Sequence, residues 1–200
     1  MRDIEKLVKK LVVVCVGLVA IGFSVVAPSE GGDTKVVIKS KASGSFVTTL
    51  FDFDHPDLST PAAYFNAAGI GSAGAFTSQA LDESAPDGKT CTVPGGVVGA
   101  GTEFTLVGGA SVSRTTATGD LLFTKTTSGT ECDDLSTFPT PPFPFVGTDT
   151  GIVTGGTGKY SGATGTYTLK FKGAFLALPA TGLGAFGWSE AKTVTTLTLP

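Results

Sequence analysis

The sequence predicts an all-β protein, folded as an eight-stranded antiparallel β-barrel. Short runs of alternating apolar and polar residues recur along the chain, separated by Gly, Pro or Asp, as in barrels and sandwiches. No long amphipathic helix pattern occurs after residue 30. The eight or nine runs suit a closed barrel, because closure leaves no strand edge exposed. A barrel of eight strands can hold one small ligand.

Residues 1–29 have the pattern of a secretory signal peptide. Arg2 and three lysines form a basic start, and residues 11–27 are an uncharged apolar run. An uncleaved membrane anchor is the alternative, since the apolar run lies at the lower edge of spanning length. A lipoprotein anchor on Cys15 is less favoured, because almost no apolar stretch precedes it. The pattern predicts a secreted, periplasmic or extracellular protein, without fixing the cleavage site.

Residues 30–200 are expected to form a single domain, long enough to bury a core. Without residues 1–27, ten Lys and Arg residues face fifteen Asp and Glu residues. This acidic balance argues against nucleic acids and anionic membrane surfaces as partners, beyond the export signal itself. The oligomeric state is left open.

The predicted strands follow one another with turn residues between them. They cover residues 36–41, 45–53, 69–79, 102–107, 110–118, 120–127, 148–154, 166–176 and 186–199. The turn signals include residues 42–44 and the pair Gly108-Gly109. In the strand over 166–176, Tyr167 and Phe171 share one face with Leu169, and lysines occupy the other. One face therefore packs and the other meets water.

Two long irregular segments are predicted between strands, at residues 54–68 and 128–147. The second contains three phenylalanines among prolines and glycines: Phe138, Phe143 and Phe145. Long loops in compact domains are often lids, so these aromatic residues are candidates to cover the barrel mouth. The favoured alternative is that they plug the barrel end, since buried aromatic residues mostly serve packing.

Two cysteines, Cys91 and Cys132, remain once the signal is set aside. An even count in an exported chain predicts one disulfide, with a metal site or a reactive thiol as alternatives. A metal site is not expected, because neither cysteine belongs to a CxxC pair and the only histidine, His55, is distant. The disulfide would close a loop of about 40 residues and stabilise the fold by about 3–4 kcal/mol.

Residues 151–170, GIVTGGTGKYSGATGTYTLK, combine a strand-like start with two glycine-rich turns. The first turn covers 155–158, the second covers 161–165, and an alternating strand begins at Thr166. A phosphate-binding loop is excluded, because it requires Gly-Lys-Ser/Thr at the start of a helix. Glycine here more simply supplies the backbone angles of tight turns and bulges.

This organisation resembles the signature of the allene oxide cyclase and dirigent-like proteins, calycin-type antiparallel barrels with a central cavity. The resemblance is strong over residues 151–170 and weaker over 44–199. It implies that five glycines determine the fold: Gly155, Gly156, Gly158, Gly162 and Gly165. In that family the barrel interior binds hydrophobic small molecules. Allene oxide cyclases guide ring closure of an unstable fatty-acid epoxide, and dirigent proteins steer the coupling of phenoxy radicals. No catalytic residue carries over.

Charged residues inside predicted strands are the candidates for cavity chemistry, because burial raises the pKa of a carboxyl group toward values that suit proton transfer. The candidates are the charged residues Glu103, Arg114, Asp120 and Glu190, together with the aromatic residue Trp188. Alternation favours an outward Glu103, since Phe104 and Leu106 form the other face of its strand. The direction of Arg114 is not readable from its neighbours.

The sequence predicts an exported barrel that binds a hydrophobic small molecule and requires no cofactor or metal. One alternative is a cyclase, an isomerase or a dirigent-like protein that controls the stereochemistry of a reactive intermediate. Another is a structural or surface-interaction protein that uses the Phe/Pro loop at residues 136–145. A hydrolase triad through Asp54 and His55 is not expected, because the chain has no Gly-x-Ser-x-Gly nucleophile elbow.

Overall fold

The computed structural model describes residues 33–49, 62–179 and 184–200. The predicted signal peptide and His55 lie outside them. The described residues form eight antiparallel strands and one short 3-10 helix at Gly158–Tyr160. The strands are β1 (Thr34–Thr49), β2 (Ala62–Gly71), β3 (Gly74–Cys91), β4 (Gly101–Thr115), β5 (Leu121–Asp133), β6 (Phe143–Gly156), β7 (Thr164–Ala177) and β8 (Phe186–Leu199).

The eight strands form one sheet that closes on itself. Each strand pairs with its neighbours in sequence, and β8 returns to pair with β1. The closing ladder runs from Thr34 opposite Leu199 to Val47 opposite Phe186. In the described part of the chain every strand is thus paired on both sides, which removes the exposed edges of an open sheet. The prediction of an all-β fold with eight antiparallel strands is confirmed.

Two predicted turns lie inside continuous strands. Residues 42–44 belong to β1, and Gly108-Gly109 belongs to β4. A Cβ on Gly44 would overlap the backbone of β2 at Ala67, so this glycine permits a close approach between strands. In β4 the glycine pair follows Val107. Glu83 of β3 is paired with Gly108 and Ser84 with Leu106, so Val107 between them has no partner on β3. Glycine there accompanies a β-bulge, not a turn.

Other predicted boundaries also shift. The predicted strand at 69–79 spans a hairpin, since β2 ends at Gly71 and β3 begins at Gly74. The predicted loop at 54–68 is strand from Ala62 onward. In the predicted loop at 128–147, only residues 134–142 connect β5 to β6. The prediction for 186–199 is confirmed at both ends. No described helix has the length and apolar character needed to cross a membrane.

The glycine-rich segment connects β6 to β7 through the 3-10 helix. Positive φ angles occur at Gly155, Gly158, Gly162 and Gly165, at 138°, 56°, 71° and 150°. Residues other than glycine rarely adopt such angles. Gly156 serves differently, since a Cβ there would meet the side chain of Tyr160. The strand after the turn begins at Thr164, two residues earlier than predicted.

Apolar clusters fill the two ends of the ring. At one end lie Phe46, Phe143, Phe145, Phe175 and Ala185. At the other lie Val153, Tyr160, Ala163 and Leu197. Phe143 and Phe145 are only 1% and 2% exposed, so both are packed in the first of these clusters. Phe138 differs, since it stacks on Phe143 with 5.9 Å between ring centroids but remains 52% exposed.

The disulfide between Cys91 and Cys132 is confirmed. It joins the end of β3 to β5 across the first residue of β4, because a Cβ on Gly101 would meet both sulfur atoms. The bond therefore holds together two strands that are not hydrogen-bonded neighbours.

Replacing both cysteines, Cys91→Ser with Cys132→Ser, should lower the free energy of unfolding by about 3–4 kcal/mol. Without the disulfide, the unfolded chain is no longer held in a closed loop between two residues that are 41 positions apart in sequence. Urea denaturation of the oxidised protein and of the variant measures the difference. As a control, a reducing agent should destabilise the wild-type protein to the level of the variant and leave the variant unchanged. Equal stability of variant and wild type would contradict this role.

Candidate functional site

The ring of strands encloses a cavity of about 530 Å³, within the usual size range of small-molecule sites. All eight strands contribute inward-facing residues to its wall. Small side chains at the middle of the ring leave the space open: Ala42, Ala67, Ala80 and Ala191. Tyr167, Leu169 and Phe171 line it together, as the alternation of their strand predicts.

Inward-facing glycines determine where the aromatic rings lie. Gly147 is paired with Phe171, and Gly151 is paired with Tyr167. A Cβ on either glycine would overlap the ring of its partner. Each ring therefore lies flat over the neighbouring strand instead of crossing the interior, which keeps the centre of the cavity free.

Four carboxyl groups line the cavity: Asp82 on β3, Glu131 and Asp133 on β5, and Asp149 on β6. None of the described lining residues is Lys, Arg or His. The described lining residues of β1, β2 and β8 carry no ionisable side chain at all. The cavity thus has an acidic wall on one side, and small residues with phenylalanines on the other.

A hydroxyl network joins two of the acids. The Tyr167 hydroxyl donates a hydrogen bond to Oδ2 of Asp149 at 2.9 Å. Thr126 Oγ1 lies 3.0 Å from the Tyr167 hydroxyl oxygen and 3.3 Å from Oδ2 of Asp149. It also lies 3.3 Å from Oδ1 of Asp82. Because one threonine hydroxyl carries a single proton, Thr126 can donate to only one of these acceptors at a time.

Two buried carboxyl oxygens have no hydrogen-bond partner among the described residues. They are Oδ1 of Asp133 and Oδ1 of Asp149. The residues are only 7% and 2% exposed. A buried polar atom left unsatisfied costs about 1–3 kcal/mol. A ligand that donates hydrogen bonds would remove this cost.

Burial raises the pKa values of these carboxyl groups. Burial, and then repulsion by Asp149, raises the pKa of Asp82 to about 7. Burial raises the pKa of Asp133 and that of Asp149 to about 6 each. Burial, and then the charge of Asp133, raises the pKa of Glu131 well above its ordinary range. Near neutral pH the cluster therefore contains both protonated and ionised carboxyl groups.

Two predicted cavity candidates, Trp188 and Glu190, lie on the outer face of β8. Ser189 and Ala191 line the cavity, so alternation directs their neighbours outward. Trp188 is 40% exposed, and Glu190 forms an ion pair with Lys172 at 3.4 Å on the surface. The prediction that they line the cavity is corrected.

Glu103, Arg114 and Asp120 also lie outside the described cavity lining. Glu103 pairs with Lys89 at 3.4 Å, in agreement with the outward direction favoured by alternation. Arg114 is exposed between two inward residues of β4. Asp120 precedes β5 and accepts a hydrogen bond from the Thr118 hydroxyl at 2.6 Å.

The four acids that line the cavity were not among the predicted site residues. Asp82 lies in a segment without a predicted strand, and Glu131 and Asp133 lie in the predicted loop at 128–147. Of the four, Asp149 could have been predicted from the sequence, because it falls within a predicted strand and shares a face with Val153. Within the described parts of the chain no cluster of His, Cys, Asp or Glu is arranged to hold a metal ion.

No family model, curated protein or solved structure matches this chain.

The pKa of Asp82 sets a pH dependence of stability. Its pKa is about 7 in the folded protein against an ordinary value of 3.8, so the folded state holds the proton more tightly than the unfolded state. Its contribution to stability therefore falls as the pH rises from about 4 to about 7, and the loss is complete above that range.

The variant Asp82→Asn should be more stable than wild type at pH 8, by on the order of 2–4 kcal/mol, because it removes a buried charge. At pH 4 the two proteins should differ little, since the aspartate is then protonated. Urea denaturation at both pH values measures the effect, with Glu190→Gln on the outer face as the control. A stability difference that does not change with pH would contradict the assignment.

Proposed function

We propose that the protein binds a largely apolar small molecule inside the ring of strands. The observation that carries the proposal is the cavity of about 530 Å³, with an apolar wall opposite a set of polar groups. Such a combination is typical of ligand sites, in which apolar surface supplies affinity and a few polar groups fix orientation. We also propose that the protein is exported, and its disulfide fits an oxidising compartment.

The assignment to the allene oxide cyclase and dirigent-like, calycin-type barrels is part of this proposal. Two features support it. The eight strands follow one another around the ring in sequence order. The glycine-rich segment that carries the resemblance forms the connection between β6 and β7. The interior of such barrels binds hydrophobic small molecules, which agrees with the proposed role of this cavity.

Filling the cavity should weaken ligand binding. The variant Ala191→Phe places a large side chain into the space, and we expect it to weaken binding of the neutral dye Nile red at least tenfold. Fluorescence titration measures the affinity. The matched control is Lys192→Phe, which puts the same side chain on the outer face at the next position. Equal binding by both variants would mean that the dye binds outside the cavity and would count against the proposal.

A cyclase or isomerase is the second candidate, favoured by the acid cluster. A protonated carboxyl group can give its proton to an oxygen of the ligand, while an ionised neighbour takes a proton from carbon. Isomerisation conserves all atoms and electrons, so it needs no co-reactant. The raised pKa values of Asp82 and Asp149, at about 7 and about 6, place both protonation states in the cavity near neutral pH.

This candidate predicts acid-catalysed rearrangement of an apolar epoxide. With racemic limonene oxide, we expect product formation that favours one enantiomer of the substrate and falls at least tenfold in Asp149→Asn. Chiral gas chromatography follows both substrate enantiomers, and Glu190→Gln serves as the control. Rearrangement at the rate of the protein-free buffer would leave binding alone as the proposed function.

A surface-interaction role has less support. It rests on the Thr/Gly-rich exterior and on the aromatic residues of the Phe/Pro loop at residues 136–145. Phe143 and Phe145 are buried in the end cluster, and only Phe138 is exposed. The loop thus offers a single phenylalanine as a contact surface.

A further inference from the structure

We propose that the molecule bound in the cavity carries a protonated amine on an apolar body. This inference rests on the proposed binding function and specifies the class of ligand. It follows from the charge balance of the cavity wall, from two unpartnered oxygen atoms and from the separation of polar and apolar walls.

The charge balance of the wall favours a cationic ligand. The carboxyl groups that face the cavity come from three strands: Asp82 on β3, Glu131 and Asp133 on β5, and Asp149 on β6. The described wall contains no basic side chain to pair with them. A buried carboxyl group either takes up a proton or, when it is ionised, is stabilised by a cationic partner. An ammonium group on a ligand is the counter-charge that this arrangement lacks.

The unpartnered oxygens show where the cation would bind. Oδ1 of Asp133 and Oδ1 of Asp149 are buried acceptors without a donor among the described residues. Their residues flank Gly147 in the ladder, since Asp133 is paired with Phe145 and Asp149 lies two positions beyond Gly147 on β6. Because Phe145 and Asp149 are four positions apart on β6, about 13 Å separates the two residues along the strand direction. One ammonium group therefore donates hydrogen bonds to one of these oxygens, and the other carboxylate attracts it at longer range.

An aromatic ring adjoins the same place. The Phe171 ring covers Gly147, as the overlap with a Cβ at that glycine requires. Aromatic faces attract ammonium groups, and the attraction increases when water is excluded. An aromatic ring beside an acidic wall forms an environment that suits an amine and disfavours an anion.

The opposite wall accommodates the rest of the ligand. Phe46 and Phe65 line the cavity with alanines of β1, β2 and β8. These residues offer no charged partner, so they suit an alkyl or aromatic body. A fatty acid would place its carboxylate among like charges or in the apolar end, and both positions are unfavourable.

Three ligands of equal chain length test the inference: n-octylamine, octan-1-ol and octanoate. Isothermal titration calorimetry with the full chain at pH 8 should show at least tenfold tighter binding of the amine than of the alcohol, and the weakest binding for octanoate. Equal affinity for amine and alcohol would overturn the ammonium inference and leave the binding function in place. No binding of any of the three would overturn both.

Variants test which carboxyl groups cause the preference for the amine over the alcohol. Asp133→Asn combined with Asp149→Asn should reduce the preference for amine over alcohol to less than threefold, while octan-1-ol still binds. Glu190→Gln, on the outer face, should retain the full preference. If the double variant does not fold, lowering the pH of the wild type from 8 to 5 provides the same test. Protonation of Asp82, Asp133 and Asp149 should weaken binding of the amine at least tenfold and leave the alcohol unaffected. An amine affinity independent of both changes would overturn the inference.

Discussion

The fit between inward-facing glycines and the aromatic rings of adjacent strands is the constraint on which the interior depends. Gly173 is paired with Phe145, and Gly147 is paired with Phe171, so that ring and glycine alternate across neighbouring strands. A Cβ at either glycine would overlap the ring beside it. Because the rings lie along the wall, eight strands can contain several phenylalanines and still enclose an open cavity. If the same aromatic side chains pointed across the interior, they would fill the cavity.

The open interior determines how much hydration free energy the acidic side chains lose on folding. A carboxylate in contact with water loses little on folding, whereas one in a largely apolar cavity loses hydration that the chain does not replace. Asp149 recovers part of the loss through the Tyr167 and Thr126 hydroxyl groups, but its Oδ1 recovers none from the described residues. A protein selected for stability alone would replace such groups with apolar ones. Their presence in the cavity wall supports the proposal that the cavity binds a ligand, because functional sites often sacrifice stability.

Alternation along individual strands could be predicted from the sequence, whereas relations between strands could not. The run from Phe186 to Leu199 contains no Gly or Pro after Gly187, and its bounds were predicted correctly. β1 was divided at Gly44, because an inward glycine that permits close strand contact looks the same in sequence as a turn glycine. The acid wall depends on register, which places Glu131 opposite both Phe104 and Gly147. A strand-length error of a few residues in β5 was enough to assign two of these acids to a loop.

The disulfide has a place in the same electrostatic arrangement. Cys132 lies between Glu131 and Asp133 on β5, and its side chain occupies the opposite face of the strand from theirs. Its partner, Cys91, ends the strand that carries Asp82, and the charge of Asp82 contributes to the raised pKa of Glu131. The bond thus connects two strands whose inward carboxyl groups repel one another when ionised. In a chain without the disulfide, only the hydrogen bonds of β3 and β5 to β4 would resist that repulsion. A covalent connection does not weaken as the carboxyl groups ionise, so it can maintain the acidic wall across the pH range in which the charge of the cavity changes.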